Sequence, residues 1–218
     1  MQRLAFFDLD GTLLDRDAAF GAWVDEFVTD HGLSGTARAW LIHADALHIG
    51  PMDGFFHRVR EEFAFGTPAD DLWAQYRRRM PELVEGRPDD LAALGELRAS
   101  GWKTAIVTNG MTDNQQAKIR RSGLSELVDA WCISDEVGLR KPDPGIFRLA
   151  AQLCGMPSEQ GGWMIGDSVI ADIAGGRTAG LRTIWIRRAR SWPQTETRPD
   201  HEADNVAGAV KILLSRQA

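Results

Sequence analysis

Two aspartates one residue apart, Asp8 and Asp10, close a short apolar run in Phe6-Phe7-Asp8-Leu9-Asp10-Gly11-Thr12-Leu13-Leu14. One carboxylate can attack an electrophile while the other gives and takes a proton, and a hard cation such as Mg²⁺ can be shared between them. Two further acids lie in Gly166-Asp167-Ser168-Val169-Ile170-Ala171-Asp172, and Lys141 precedes Pro142. Crowded acids repel, so a divalent cation is the natural way to keep four of them ionised together. Thr108 and Asn109, in Ile106-Val107-Thr108-Asn109-Gly110, can donate hydrogen bonds to phosphate oxygens. A helix beginning near Ser168 would add its N-terminal dipole. A carboxylate nucleophile, a proton-handling acid, a metal and a cation suit phosphoryl transfer through an aspartyl-phosphate. Each piece alone has a plainer reading. Asp-Gly after a strand is a turn, Lys141 is a surface lysine, and Asp172 is a helix-surface acid.

What sets the plainer readings aside is where the elements put these residues. Leu4–Phe7 reads as a buried strand. A long helical region follows, about 16–80, in which Phe20, Trp23, Val24, Phe27 and Val28 mark one apolar helix stripe. Further helices are expected around Ala37–Leu47, Phe55–Phe63 and Leu72–Met80, with breaks at His31-Gly32, Gly50-Pro51 and Gly66-Thr67-Pro68. Nothing there alternates as a strand would, so 16–80 reads as an inserted helical bundle. From Pro81 the pattern changes. Pro88 opens a helix that ends at Gly101, Trp102–Thr108 is a strand, and Thr112 N-caps a polar helix. Ala130–Ser134 and Trp163–Ile165 are strands, the second ending at Gly166-Asp167. Between them a helix begins at Asp143-Pro144, with Ile146, Leu149, Ala150 and Leu153 on one side. Ser168–Ala179 reads as helix, Thr183–Ile186 as strand, Arg187–Asp204 as a polar loop, and Val206–Leu214 as a last helix. Alternating strands and helices imply a doubly wound, Rossmann-like α/β fold with a parallel sheet, formed by 1–15 and 81–218. Ligands bind such sheets at the carboxyl ends of the strands. Asp8 and Asp10, Thr108 and Asn109, and Asp167 all follow predicted strands, so one edge collects them.

The 218-residue chain has a net charge of −6 and no long Lys/Arg run, so nucleic-acid and anionic-membrane roles lack an electrostatic footprint. Segment 16–80 carries 7 basic and 10 acidic residues and forms no anion funnel; Arg77-Arg78-Arg79 reads as a solvated helix end. No stretch reaches the ~20 apolar residues that span a bilayer. The first residues, with Arg3 alone basic and the apolar run ending at Asp8, do not resemble a secretory leader. Cys132 and Cys154 form no metal or redox motif, which fits a reducing compartment. A cytoplasmic protein is expected. The five histidines show no ligand spacing, and Trp23, Trp102, Trp163 and Trp185 fall on apolar faces or strands as core residues.

Four of these stretches, in this order, resemble the motifs of the haloacid dehalogenase-like phosphohydrolase superfamily. Phe7-Asp8-Leu9-Asp10-Gly11-Thr12 is similar to the nucleophile motif and Ile106-Val107-Thr108-Asn109 to the second. Lys141-Pro142 resembles the third, and Gly166–Asp172 the fourth. The resemblance implies that Asp8 attacks phosphorus, and that Asp10 protonates the leaving oxygen and later deprotonates water. It implies Mg²⁺ held by Asp8, the Asp10 carbonyl and Asp167, with Asp172 in support. Thr108 and Asn109 would hold the phosphate, and Lys141 would neutralise it and orient Asp8. The all-α insertion at 16–80 then corresponds to a C1-type cap, a lid over the substrate. Dehalogenation is disfavoured, because Asp10 serves phosphate leaving groups. A sugar phosphomutase and a non-catalytic phosphate-binding module are the alternatives. Gly166–Gly176 with Ala179-Gly180-Leu181 and Thr183-Ile184-Trp185 looks like the branch of pyrimidine-nucleotidase-like and acylneuraminate-9-phosphatase-like enzymes. The expected partner is a small phosphate ester, a nucleoside monophosphate or sugar phosphate, with no nucleic acid and no membrane, bound by a monomer or weak homodimer.

Overall fold

In the computed structural model the described residues are 2–48, 50–157 and 160–215. The chain forms two compact units, Met1–Asp15 with Gly86–Ala218, and Arg16–Glu85. Among the described residues the second unit is four helices: α1 (Arg16–Asp30), α2 (Gly35–Ala46), α3 (Met52–Glu62) and α4 (Ala69–Leu83). Its centre is aromatic. Trp23 on the buried stripe of α1 meets Phe56 and Tyr76 edge-on, at ring separations of 5.7 and 5.1 Å, and Phe20 meets Phe55 at 5.8 Å. His31 packs its ring against Phe27 and Phe65, a structural use. The spacing places the end of the last helix at Met80, yet α4 runs on through Pro81. A proline two residues before a helix end removes one intrahelical bond only, and Val84 N still closes on Met80 O at 3.1 Å. Arg79 pairs with Glu26 through two bonds of 2.6 and 2.7 Å, so one member of the arginine run is tied down.

The first unit begins with β1 (Leu4–Phe7), every residue of which is fully buried. After the helical unit come α5 (Pro88–Ala99), β2 (Lys103–Thr108), α6 (Thr112–Arg121), β3 (Ala130–Ile133), α7 (Ser134–Val137) and α8 (Pro144–Leu153). They are followed by β4 (Trp163–Gly166), a π-helical turn Val169–Ala174 continuing as α9 (Gly175–Thr178), β5 (Arg182–Ile186), β6 (His201–Ala203) and α10 (Val206–Ser215). The strands form one parallel sheet in the order β3-β2-β1-β4-β5-β6. Helices cover it, which is why β1 is a continuous apolar run rather than an alternating one. The chain winds outward from β1 to β3 and then returns to β4 on the other side of β1. That reversal puts the ligand crevice at the carboxyl ends of β1, β2 and β4.

Several local expectations are corrected. The region 187–204 is not all loop: His201–Ala203 forms the edge strand β6, and Trp192 stacks edge-on against Trp185 at 5.1 Å. Three residues with a single apolar side chain lie below what alternation can signal. Thr112 does not N-cap α6; it is the first helical residue, and its N–H and hydroxyl donate to Asp135 Oδ2 at 3.0 and 2.8 Å. Leu153 on α8 is exposed, and Phe147 and Ala151 take the buried face with Ile146 and Ala150. Among the described residues no helix is long and apolar enough to cross a membrane.

Candidate active site

The register of the sheet brings the acids together. Asp8 N donates to Ile165 O at 2.9 Å, extending the β1–β4 pairing one residue past Phe7 and setting Asp8 beside the Gly166 turn. Gly11 has φ +84°, and a Cβ there would lie 2.7 Å from Asp167 Oδ2. At Gly166 a Cβ would lie 2.3 Å from the Asp172 carboxyl. Both glycines are therefore where the backbone must make room for carboxylates. Gly166→Ala is expected to cost at least about 1–3 kcal/mol as an overpacked, charge-displacing change. It should also weaken Mg²⁺ binding more than tenfold, on the order of what disturbing a ligand's surroundings costs. Thermal unfolding and calorimetric Mg²⁺ titration check both; wild-type values in the two would show that Asp172 has room to move.

Lys141 is the hub. Its Nζ donates to Asp8 Oδ1 at 2.7 Å and to Asp172 Oδ1 at 2.6 Å. The other Asp172 oxygen accepts from Ser168 N at 2.9 Å, and Asp172 is wholly buried. Asp8, Asp167 and Asp172 each present a carboxylate oxygen within 4.8 Å of the others. The Asn109 side chain is turned onto the lysine's backbone, donating to Lys141 O at 3.0 Å and accepting from Lys141 N at 2.9 Å. It thereby fixes the loop that carries the ammonium. Thr108, at the end of β2, is buried, and its hydroxyl oxygen accepts from Gln115 Nε2 at 2.8 Å.

Four side chains at this edge have no motif to announce them. Lys118 and Gln115 reach Asp10 from α6. Arg190 donates to Asp167 Oδ2 at 2.9 Å, and Trp185 Nε1 donates to the Asp167 carbonyl at 2.9 Å. Trp185 was legible as an apolar strand residue, but not as a hydrogen-bond donor.

Burial dominates the electrostatics. It raises Asp8 to about 7, with Asp172 and Asp10 adding repulsion and Lys141 opposing. Burial likewise raises Asp167 to about 6, helped by Asp8 and opposed by Arg190. Asp172 is raised by the same desolvation. For Lys141 desolvation works to lower the value, but Asp172 and Asp8 together hold the ammonium above its usual range. The Lys141 ammonium and the half-exposed Arg190 guanidinium leave the buried Asp8 and Asp172 and the partly buried Asp167 one positive charge short. An all-oxygen set held this close, with burial pushing its members toward neutrality, fits a hard divalent cation such as Mg²⁺.

The raised values predict an inverted stability profile for metal-free protein. Asp8 and Asp167 hold protons more readily folded than unfolded. Their stabilising contribution is full below the ordinary value of 3.8 and is lost as pH rises through 6 and 7. The depressed carboxylates, Glu26, Asp129 and Asp204, act only in more acidic solution. In chelator, Tm is expected to fall between pH 5 and 7.5, by about 2–4 °C for each kcal/mol lost in a chain of this size. Mg²⁺ should flatten that slope. A Tm that climbs over this range in chelator contradicts the assignment.

The family model for haloacid dehalogenase-like hydrolases matches residues 2–180. A phosphoserine phosphatase of Thermus thermophilus is 32% identical over 198 residues, covering 86% of this chain and 76% of that protein. The pyrimidine 5′-nucleotidase YjjG of Escherichia coli is 37% identical over 198 residues, covering 83% and 84%. Among solved structures, the putative hydrolase YfnB of Bacillus subtilis, bound to magnesium, superposes with a TM-score of 0.81 at 25% identity, covering 97% of this chain and 98% of that one. The chain belongs to the haloacid dehalogenase-like hydrolases, as an enzyme of their phosphatase kind.

Proposed function

We propose that this protein is a Mg²⁺-dependent phosphomonoesterase that works through an aspartyl-phosphate on Asp8. The observation that carries the reading is the buried Asp8 carboxylate, held at 2.7 Å by Lys141 and grouped with Asp167 and Asp172, with Asp10 two residues away. Asp8, the Asp10 carbonyl and Asp167 would hold Mg²⁺, with Asp172 supporting. When bound, the cation screens the charge between nucleophile and phosphate. Lys141 orients Asp8 and adds positive charge toward the phosphate, and Thr108 supplies a hydroxyl donor with Asn109 shaping the loop beside it. Asp8 attacks phosphorus in line with the ester oxygen, which leaves with a proton from Asp10. Asp10 then takes a proton from water as that water attacks the phosphorus of the aspartyl-phosphate.

The substrate we propose is a nucleoside monophosphate or a sugar phosphate. The likeness to a pyrimidine nucleotidase supports the first, and the likeness to a phosphoserine phosphatase supports the wider class of small phosphomonoesters. The test is phosphate release from a panel of nucleoside monophosphates, sugar phosphates, phosphoserine and p-nitrophenyl phosphate, with Mg²⁺ and with chelator. Mg²⁺-dependent turnover led by a nucleotide or sugar phosphate is the expected result. Phosphoserine or the aryl ester leading would sink the substrate assignment. Binding of phosphate and Mg²⁺ with no turnover of any ester would sink the enzyme assignment.

A further inference from the structure

Asp10 is gripped from one face of α6. Lys118 Nζ donates to both of its carboxyl oxygens, at 2.9 Å to Oδ1 and 2.7 Å to Oδ2, and Gln115 Nε2 donates to Oδ2 at 3.1 Å. The same Gln115 nitrogen donates to Thr108 Oγ1 at 2.8 Å. Three residues apart on a helix, the two side chains share a face. Both are buried, and the Lys118 side chain is only 4% exposed.

Burying an ammonium and an amide is expensive unless their partners matter. An aliphatic residue would anchor α6 at lower cost, as Ile119 already does from the adjacent position. Instead the helix commits two polar side chains to one carboxyl. Gln115 also links that carboxyl to the hydroxyl at the end of β2. A hydroxyl that accepts from Gln115 keeps its own hydrogen for donation elsewhere. The pair therefore sets two groups at once, a proton-transfer carboxyl and a donor facing the phosphate.

We propose that Lys118, with Gln115, is the positioning group of Asp10, fixing its carboxyl for proton transfer and locking that orientation to Thr108. The proposal rests on the phosphatase reading above. In the first step the Asp8 oxygen–phosphorus bond forms, the bond from phosphorus to the ester oxygen breaks, and the Asp10 proton passes to that oxygen. Asp10 is then a carboxylate facing Lys118. In the second step water bonds to phosphorus and gives its proton to Asp10, and the Asp8–phosphorus bond breaks to release phosphate. Lys118 is consumed in neither step. It acts through Asp10.

The experiment compares kcat/KM for phenyl phosphate and p-nitrophenyl phosphate in wild type, Lys118→Met and Lys118→Arg. Nitrophenolate departs with little help from an acid, whereas phenolate needs more. Lys118→Met is expected to lower kcat/KM for phenyl phosphate about tenfold more than for the nitrophenyl ester, within the reach of a misplaced general acid. Lys118→Arg, which keeps a cation on the carboxyl, should recover most of the difference. In an Asp10→Asn background, Lys118→Met should change neither ester more than about twofold, because the group it positions no longer transfers a proton. That double variant removes both members of the Lys118–Asp10 pair and keeps the test available if the single Met variant does not fold; Lys118→Gln is then the single variant. Equal losses on the two esters, or full additivity in the Asp10→Asn background, would mean that Lys118 only holds α6 in place and overturn the proposal. Wild-type turnover that persists in Asp8→Asn would remove the phosphatase reading and the proposal with it. Asp8-dependent turnover with an unchanged leaving-group preference removes the positioning role alone.

Discussion

Asp8→Asn is expected to reduce Mg²⁺-dependent phosphate release from p-nitrophenyl phosphate by about 10⁴-fold or more, the scale on which losing a covalent nucleophile acts. Asparagine keeps the size of the side chain and one oxygen for the Lys141 bond seen at 2.7 Å. It cannot form the acyl-phosphate. The change also removes a carboxylate that burial already pushes to about 7. Metal-free Asp8→Asn should therefore unfold at the wild-type temperature or above, at neutral pH. A dead enzyme with undiminished Tm separates chemistry from folding. Persisting activity would point to a contaminant or to another nucleophile, and a large fall in Tm would mean that Asp8 is a structural acid.

Lys141→Met is the second large effect, and it has the opposite signature. The ammonium is the cation between Asp8 and Asp172, both of them buried. Breaking a buried ion pair from one side typically costs about 3–5 kcal/mol, because the remaining charge is left uncompensated. Two carboxylates share that fate here, although part of the cost is relieved when they take up protons. Phosphate release should fall about 10²–10³-fold, the range for losing one preorganised electrostatic group. Mg²⁺ should restore much of the lost Tm, since it supplies the missing charge to the same acids. A Lys141→Met protein with wild-type Tm in chelator would show that the pair contributes nothing to folding.

Much of this site can be read from the chain because its chemistry sits at strand ends. An apolar run that stops at two acids locates Asp8 and Asp10, and the strands before Thr108 and Asp167 are equally plain. Parallel pairing then does the assembly, with Phe7 opposite both Ile106 and Ile165. The helices of Arg16–Glu85 are legible for a related reason, since aromatic residues at helical spacing have one face to bury. Lys118, Gln115 and Arg190 were not legible. The segment Thr112–Arg121 has Ile119 as its one large apolar residue, so a polar helix reads as a solvated one and its buried polar face gives no periodic signal. Arg190 lies in a polar stretch whose edge strand is three residues long. Asn109 had a site role by resemblance, but that its amide would close on the Lys141 backbone depends on two loops meeting in space.

The place of β1 in the sheet also bears on how the molecule comes into being. The strand that ends at Asp8 precedes both of its neighbours in the chain, for Leu4 pairs with Lys103 and Ala5 with Trp163. Its two neighbours are thus synthesised roughly a hundred and roughly a hundred and sixty residues later, a high contact order that slows folding. At about 5–20 residues per second, Leu-Ala-Phe-Phe waits on the order of ten seconds or more for both edges to be covered. During translation this segment is an apolar strand with both edges uncovered, the kind of segment prone to mispairing. The carboxylates at the sheet edge then come together late, when β4 slots in beside β1.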